Sequence, residues 1–230
     1  MEKYLRYLTN RDVAMLAFIA RYRVGTNELL LKAVCENRCT LANVDRIVRR
    51  LQRRGLLRSV ELDAQVRYFV LTRRGFIALG MEPRTPRALT EQSLPVVLAI
   101  AMYCVKYELQ RFTNQEFHES YPELWRPGLR SSNYVLIETS DGVKLEMLLI
   151  DRGGAARRIR SRVRRILSQR EGLPAFNSLI RAGRFRVRVL TGTTAHREKI
   201  ERQVGDAPFA PVEVDAVVIE ELSDLLFVKR

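Results

Sequence analysis

With 230 residues, 47% of them hydrophobic, the chain is long enough for one large core or two small ones, which excludes a disordered polypeptide. Its 40 Lys and Arg against 26 Asp and Glu give a formal charge of +14, an excess that favours a polyanionic partner, nucleic acid first. The charge is uneven: residues 1–80 hold 16 Lys or Arg against 7 Asp or Glu, a net of +9.

In chain order, Thr9 or Asn10 caps a first helix whose buried stripe is Val13, Leu16, Ala17 and Ala20. Gly25 breaks it, Thr26 caps a second helix, and Leu29, Leu30 and Ala33 carry that one inward. Thr40 then caps a third helix, with Leu41, Val44, Ile47, Val48 and Leu51 on one side and Ala42, Arg46, Arg49 and Arg53 opposite. Asn43 and Arg50 flank that basic face, and Gly55 sits where the chain must leave the helix. Two short apolar segments follow, Leu57–Leu62 and Arg67–Leu71, joined around Asp63, Ala64 and Gln65 as a hairpin. Thr72 caps a short helix through Leu79.

Three helices followed by a two-stranded ribbon is the order of a winged helix-turn-helix, whose third helix enters a DNA major groove. The competing reading is a solvent-facing helix that is merely rich in arginine. Six arginines between Arg46 and Arg58, with no Asp or Glu among them, leave these charges without local pairing, which disfavours it. Asn43 and Arg46, in the N-terminal half of the helix, are expected at base edges, with Thr40 at its start. Arg49, Arg50, Arg53 and Arg67 are expected on phosphates. The acidic Asp63 at the wing tip argues against deep insertion into the minor groove.

Composition changes at Gly80–Leu89, where two prolines and the loss of apolar periodicity mark a boundary. The expected domains are residues 1–80, a linker over 81–89, and 90–230. The second domain reads as α/β. A helix is expected from Thr90 to Leu109, entered or kinked at Pro95. Strands are expected at Arg111–Phe117, Tyr134–Thr139, Val143–Ile150, Phe185–Thr191 and Val212–Ile219, with helices over Ala155–Gln169 and Ala195–Val204. Ser140-Asp141-Gly142 signals a hairpin. The whole is α+β, a winged helix followed by a mixed sheet flanked by helices.

That order matches a restriction-endonuclease core, whose chemistry needs an Asp entering the second core strand and an acid then a Lys on the third, holding magnesium on the phosphate. Here Asn133 stands in the first position, and Glu146 is followed two residues on by Leu148. Glu146 and Asp151 therefore read as plain exposed strand and turn acids, and no enzyme is expected. The stretch Arg157–Arg170 holds seven arginines and no acid, with Ile159, Val163, Ile166 and Leu167 as its buried stripe. Its outer residues Arg157, Arg164 and Arg165 read either as a solvated face or as a second phosphate-contacting surface. Neither His118 nor His196 lies in a nucleophile motif.

Cys35, Cys39 and Cys104 form no disulfide framework and suit a reducing cytosol. Cys35 and Cys39 supply half a zinc site, but two histidines and no second cysteine pair leave the ligand count short. No metal and no cofactor is expected. The N-terminus lacks an apolar signal core, and the longest uncharged apolar run, Leu94–Val105, is too short to span a bilayer. A cytoplasmic protein without a membrane partner is expected.

The chain resembles the plasmid replication-relaxation family, winged-helix proteins of plasmids and integrative conjugative elements. The resembling residues are Leu8-Thr9-x-Arg11-Asp12, Arg50-Leu51-x-x-Arg54-Gly55-Leu56-Leu57 and Tyr68-x-Val70-Leu71-Thr72-x-x-Gly75, then Asn133-Tyr134-x-Leu136 and Ile150-Asp151-Arg152-Gly153. Asn133 and Leu149 replace acids typical of the family. The resemblance implies DNA binding in plasmid replication, relaxation or transfer, and the expected role is a duplex-DNA-binding accessory protein, with a relaxase or replication initiator as a candidate protein partner. It also implies an endonuclease-like second domain, here expected to serve as an inactive scaffold, homodimer surface or extra DNA contact. A transcriptional repressor and a magnesium-dependent nuclease are the alternatives.

Overall fold

The computed structural model describes residues 8–35, 39–61, 67–85, 88–127, 129, 133–205 and 209–226. Thr9 begins the first helix. Its hydroxyl accepts from the Asp12 amide at 3.2 Å, and the Asp12 carboxylate accepts from the Thr9 amide at 3.0 Å, a reciprocal cap. The helix, α1 (Asn10–Tyr22), ends on Arg23 in the left-handed region. Its buried side is Met15, Leu16, Ile19 and Tyr22 with Asp12, while Ala17 is exposed and Val13 and Ala20 are half-buried. The expected stripe was rotated because larger side chains one position away take the core.

Thr26 caps α2 (Asn27–Val34) and Thr40 caps α3 (Leu41–Arg53), each hydroxyl accepting an amide three residues on. Val44, Val48 and Leu51 are the buried residues of α3; Leu41, expected on the same side, is exposed. Gly55 then takes a φ of 69°, where a side chain would be strained, and turns the chain into the ribbon. Strands β1 (Leu57–Glu61) and β2 (Arg67–Leu71) pair antiparallel, Leu57 opposite Leu71 and Glu61 opposite Arg67. The expected turn residues Asp63, Ala64 and Gln65, with Leu62, lie outside the described residues.

Thr72 caps α4 (Arg73–Ala78) and fastens it to the turn after α3, its hydroxyl donating to the Gly55 carbonyl at 2.5 Å. Gly75 in that helix is forced: a Cβ there would run into the Leu56 carbonyl. One apolar core joins α1–α4 and the ribbon through residues such as Leu16, Leu30, Val48, Leu51, Leu57 and Phe69.

Residues 81–85 and 88–90 carry no helix or strand. Grouped by contacts, the chain divides into Met1–Ala101 and Met102–Arg230, a division inside α5 (Leu94–Lys106). Pro95 sits in the first turn of α5, where its missing N–H costs no helical bond. No helix among the described residues is long and apolar enough to cross a membrane.

The expected strand Arg111–Phe117 is instead the approach to a helix, α6 (Asn114–Ser120). Thr113 and Glu116 cap it reciprocally, and this local pairing overrides the apolar run. A 3₁₀ turn, Pro122–Leu124, follows. Strands β3 (Tyr134–Thr139) and β4 (Gly142–Ile150) form the expected hairpin, Thr139 opposite Gly142. After them come α7 (Arg157–Ser168), the unanticipated α8 (Pro174–Arg181), β5 (Phe185–Thr191), α9 (Thr194–Gly205), β6 (Glu213–Val218) and α10 (Glu220–Leu226).

The sheet order is β3-β4-β5-β6, the first pair antiparallel and the others parallel. The fold class is α+β. One sheet face carries Leu145, Met147 and Leu149 of β4 with Phe185, Val187 and Val189 of β5, packed in one core with Ile159, Val163 and Ile166 of α7. The alternate residues, Glu146 and Leu148 with Arg186 and Arg188, point to the other face.

Candidate nucleic-acid interface

The basic helix α3 is where the expected site residues concentrate, and they fall into three groups. Arg46 and Arg53 are exposed, and among the described residues neither has a carboxylate partner. Arg49 pairs with Asp45 at 2.9 Å, and on the ribbon Arg67 pairs with Glu61 at 3.1 Å. All four of those side chains are more than a third exposed, so each pair is weak and open to exchange with a phosphate. Arg50 differs. Its guanidinium donates at 2.5 Å to Asp12, whose side chain is wholly buried, so it is held inward.

The arginines of α3 are therefore not all without acidic partners, as the sequence suggested. Asp45 lies one turn before Arg49, and Asp12 comes from α1. Thr40 is spent as the helix cap, and Asn43, half-buried, donates its amide to that cap.

In the second unit α7 buries Ile159, Val163 and Ile166 and exposes Arg157, Arg158, Arg164 and Arg165, none paired with a carboxylate among the described residues. Arg170, beyond the helix, has turned inside. Its Nε donates to the Tyr134 hydroxyl at 2.9 Å and its Nη1 to the Ile166 carbonyl at 2.6 Å, with the cation over the Phe176 ring at 5.3 Å.

The two acids expected at the surface are both buried, Glu146 completely and Asp151 nearly so. Glu146 sits in a charged row across the sheet. Its Oε1 accepts from the Tyr103 hydroxyl at 2.6 Å, and its Oε2 from Arg186 Nε at 2.5 Å and Arg188 Nε at 3.1 Å. Arg188 also reaches Asp215, and Arg186 approaches Glu213 at 3.6 Å. Burial, with Glu146 beside it, pushes the Tyr103 phenol well above its ordinary range and keeps it a donor. Two cations and a phenol make burial of this carboxylate tolerable.

Asp151 ends β4. Its Oδ1 accepts from the Gly153 amide at 3.2 Å and its Oδ2 from Thr191 Oγ1 at 3.2 Å, and His196 Nδ1 lies 2.8 Å from Oδ2. Neither carboxylate fits a magnesium site of the nuclease kind, since each is enclosed by donors. Among the described residues no group of three or more His, Cys, Asp or Glu is placed to hold a metal ion.

No protein-family model, curated protein or solved structure matches the chain. Function therefore rests on this chain's own residues.

Several of these residues had a signal in the sequence. Arg186 and Arg188 alternate with Val187 and Val189 along β5, and Glu213 and Asp215 alternate likewise on β6, so charge on one face called for an acid on the neighbouring strand. Glu146 is that acid. The pairing of His196 with Asp151 had no such signal, because the two are distant in sequence and meet only through the parallel strands.

Proposed function

We propose that the chain is a duplex-DNA-binding accessory protein of a plasmid or integrative conjugative element, acting in transfer or replication. In this reading the first unit is a winged helix-turn-helix, with α3 in the major groove and the β1–β2 ribbon against the backbone. The observation that carries it is the pair of exposed arginines on α3, Arg46 and Arg53. Both are unpaired among the described residues and stand on a helix whose Val44, Val48 and Leu51 anchor it in a core. Arg46 and Asn43 read base edges; Arg49, Arg53 and Arg67 take phosphates, the first and last by exchanging weak carboxylate partners. Arg50 leaves the contact surface and becomes the tie that sets the angle of α3 through Asp12.

The second unit, read as an endonuclease-like core, contacts DNA through α7 without cutting it. Kinship with the plasmid replication-relaxation family, and recruitment of a relaxase or initiator, belong to the same proposal. Footprinting on the element's own transfer and promoter regions tests it. Protection in the transfer or replication origin is the expected result. Protection confined to a promoter would move the protein to a repressor, and no protection anywhere would remove the proposal.

A further inference from the structure

The carboxyl ends of β4 and β5 bring together groups that the DNA reading of α3 does not use. Asp151 and Thr191 are buried there, and His196, in the first turn of α9, is tied to Asp151 through Nδ1 at 2.8 Å. Nδ1 is turned to the carboxylate, and among the described residues Nε2 has no partner, while the side chain keeps 23% of its exposure. The His196 amide is held by the Thr193 hydroxyl at 3.2 Å, which secures the start of α9 under the ring.

Around this pair the charge is positive and uncompensated. Arg162 donates Nη1 to the Ile150 carbonyl at 2.7 Å, beside Asp151. Arg152 and Arg165 are exposed, and neither has a carboxylate partner among the described residues. Burial, then the charges of Arg152 and Arg165, lower the Arg162 pKa, and the Asp151 carboxylate opposes them. Arg152 and Arg165 lie within electrostatic reach of Arg162, and these three guanidinium groups face one carboxylate, Asp151, an excess that an anion would relieve. The outer ends of parallel strands are also where α/β sheets take their ligands.

We propose that this strand end is a phosphate seat, in which His196 Nε2 and the guanidinium of Arg152 bind one phosphate group of a nucleic-acid backbone while Asp151 holds the imidazole in place. Arg162 and Arg165 supply field, and the exposed arginines of α7 continue the track. The inference deepens the DNA reading, yet it is tested apart from it because a free phosphate compound needs no α3.

The full chain is titrated with pyrophosphate at constant ionic strength and pH 7, and its histidine ring resonances are followed by nuclear magnetic resonance. The chain has only two histidines, and a His118→Gln variant assigns them. The His196 signals should shift and saturate while those of His118, packed at a tilt against Trp125, stay in place. Arg152→Ala should weaken the pyrophosphate affinity by about tenfold, the loss expected for one charge-assisted hydrogen bond. His196→Gln should do the same, with the melting curve as the check on folding. A stationary His196, a shift shared equally with His118, or an unchanged affinity in Arg152→Ala would overturn the seat. Loss of the seat with α3-dependent DNA binding intact would leave the proposed function standing.

Discussion

Arg50 on α3 and Asp12 on α1 are joined at 2.5 Å, and the Asp12 side chain is wholly buried while Arg50 keeps 39% exposure. Asp12 serves two elements at once, its other oxygen capping its own helix at Thr9. A charge in that position is tolerable only while paired. Removing Arg50 strands the carboxylate, so Arg50→Ala should destabilise the protein by about 2–3 kcal/mol. Chemical denaturation measures this. A loss below about 0.5 kcal/mol, the value of an exposed pair, would mean that Arg50 is an ordinary surface arginine.

The charged row on the sheet makes a parallel prediction for the second unit. Glu146→Gln keeps the shape but leaves Arg186 and Arg188, both mostly buried, without their shared carboxylate. The expected cost is about 3 kcal/mol. A neutral outcome in the same denaturation experiment would show that Glu213 and Asp215 suffice as counter-charges.

The cysteines separate by environment. Burial, and then a hydrogen bond that its own S–H donates to the neighbouring Cys39, push the Cys35 thiol up to about 11. Its folded value lies above its ordinary one, so the protonated thiol favours the fold. That contribution is whole below the ordinary pKa of 9.0 and is lost as pH rises through about 11. At pH 8 an aromatic disulfide reagent should react promptly with the half-buried Cys39 and only slowly with the buried Cys35 and Cys104. Three equally fast thiols would contradict the packing at the end of α2.

Cleavage is not expected. The purified chain should leave supercoiled plasmid intact with Mg²⁺ or Mn²⁺ while still retarding it in a gel, because Glu146 and Asp151 are committed to internal donors. Metal-dependent nicking that vanishes in Glu146→Ala or Asp151→Ala would reverse this.

What the sequence disclosed follows the range of the interactions. Thr9, Thr26, Thr40 and Thr72 cap helices as read, and Ser140-Asp141-Gly142 makes its hairpin, because each signal is complete within a few residues. The stretch Arg111–Phe117 failed at the same scale: its strand-like run held a capping box at Thr113 and Glu116 that outranks it. The acidic partner of Arg50 and the burial of Glu146 went unread for another reason. Each residue is governed by a partner from a different element, Asp12 for one and Tyr103, Arg186 and Arg188 for the other. Periodicity gives the face a side chain occupies but not the charge it will meet there. His196 and Asp151 lie at the far end of that scale, joined only once β4 and β5 are aligned.

The most direct test of α3 as the DNA-reading helix is a set of binding isotherms on the footprinted duplex and on a scrambled one, for the native chain, Arg46→Ala and Arg53→Ala. Arg46→Ala should lose about 1–3 kcal/mol on the specific duplex and little on the scrambled one. Arg53→Ala should weaken both about equally and lower the salt slope by about 0.9, the share of one phosphate. Native affinity for both duplexes in an Arg46→Ala, Arg53→Ala double variant would contradict the account.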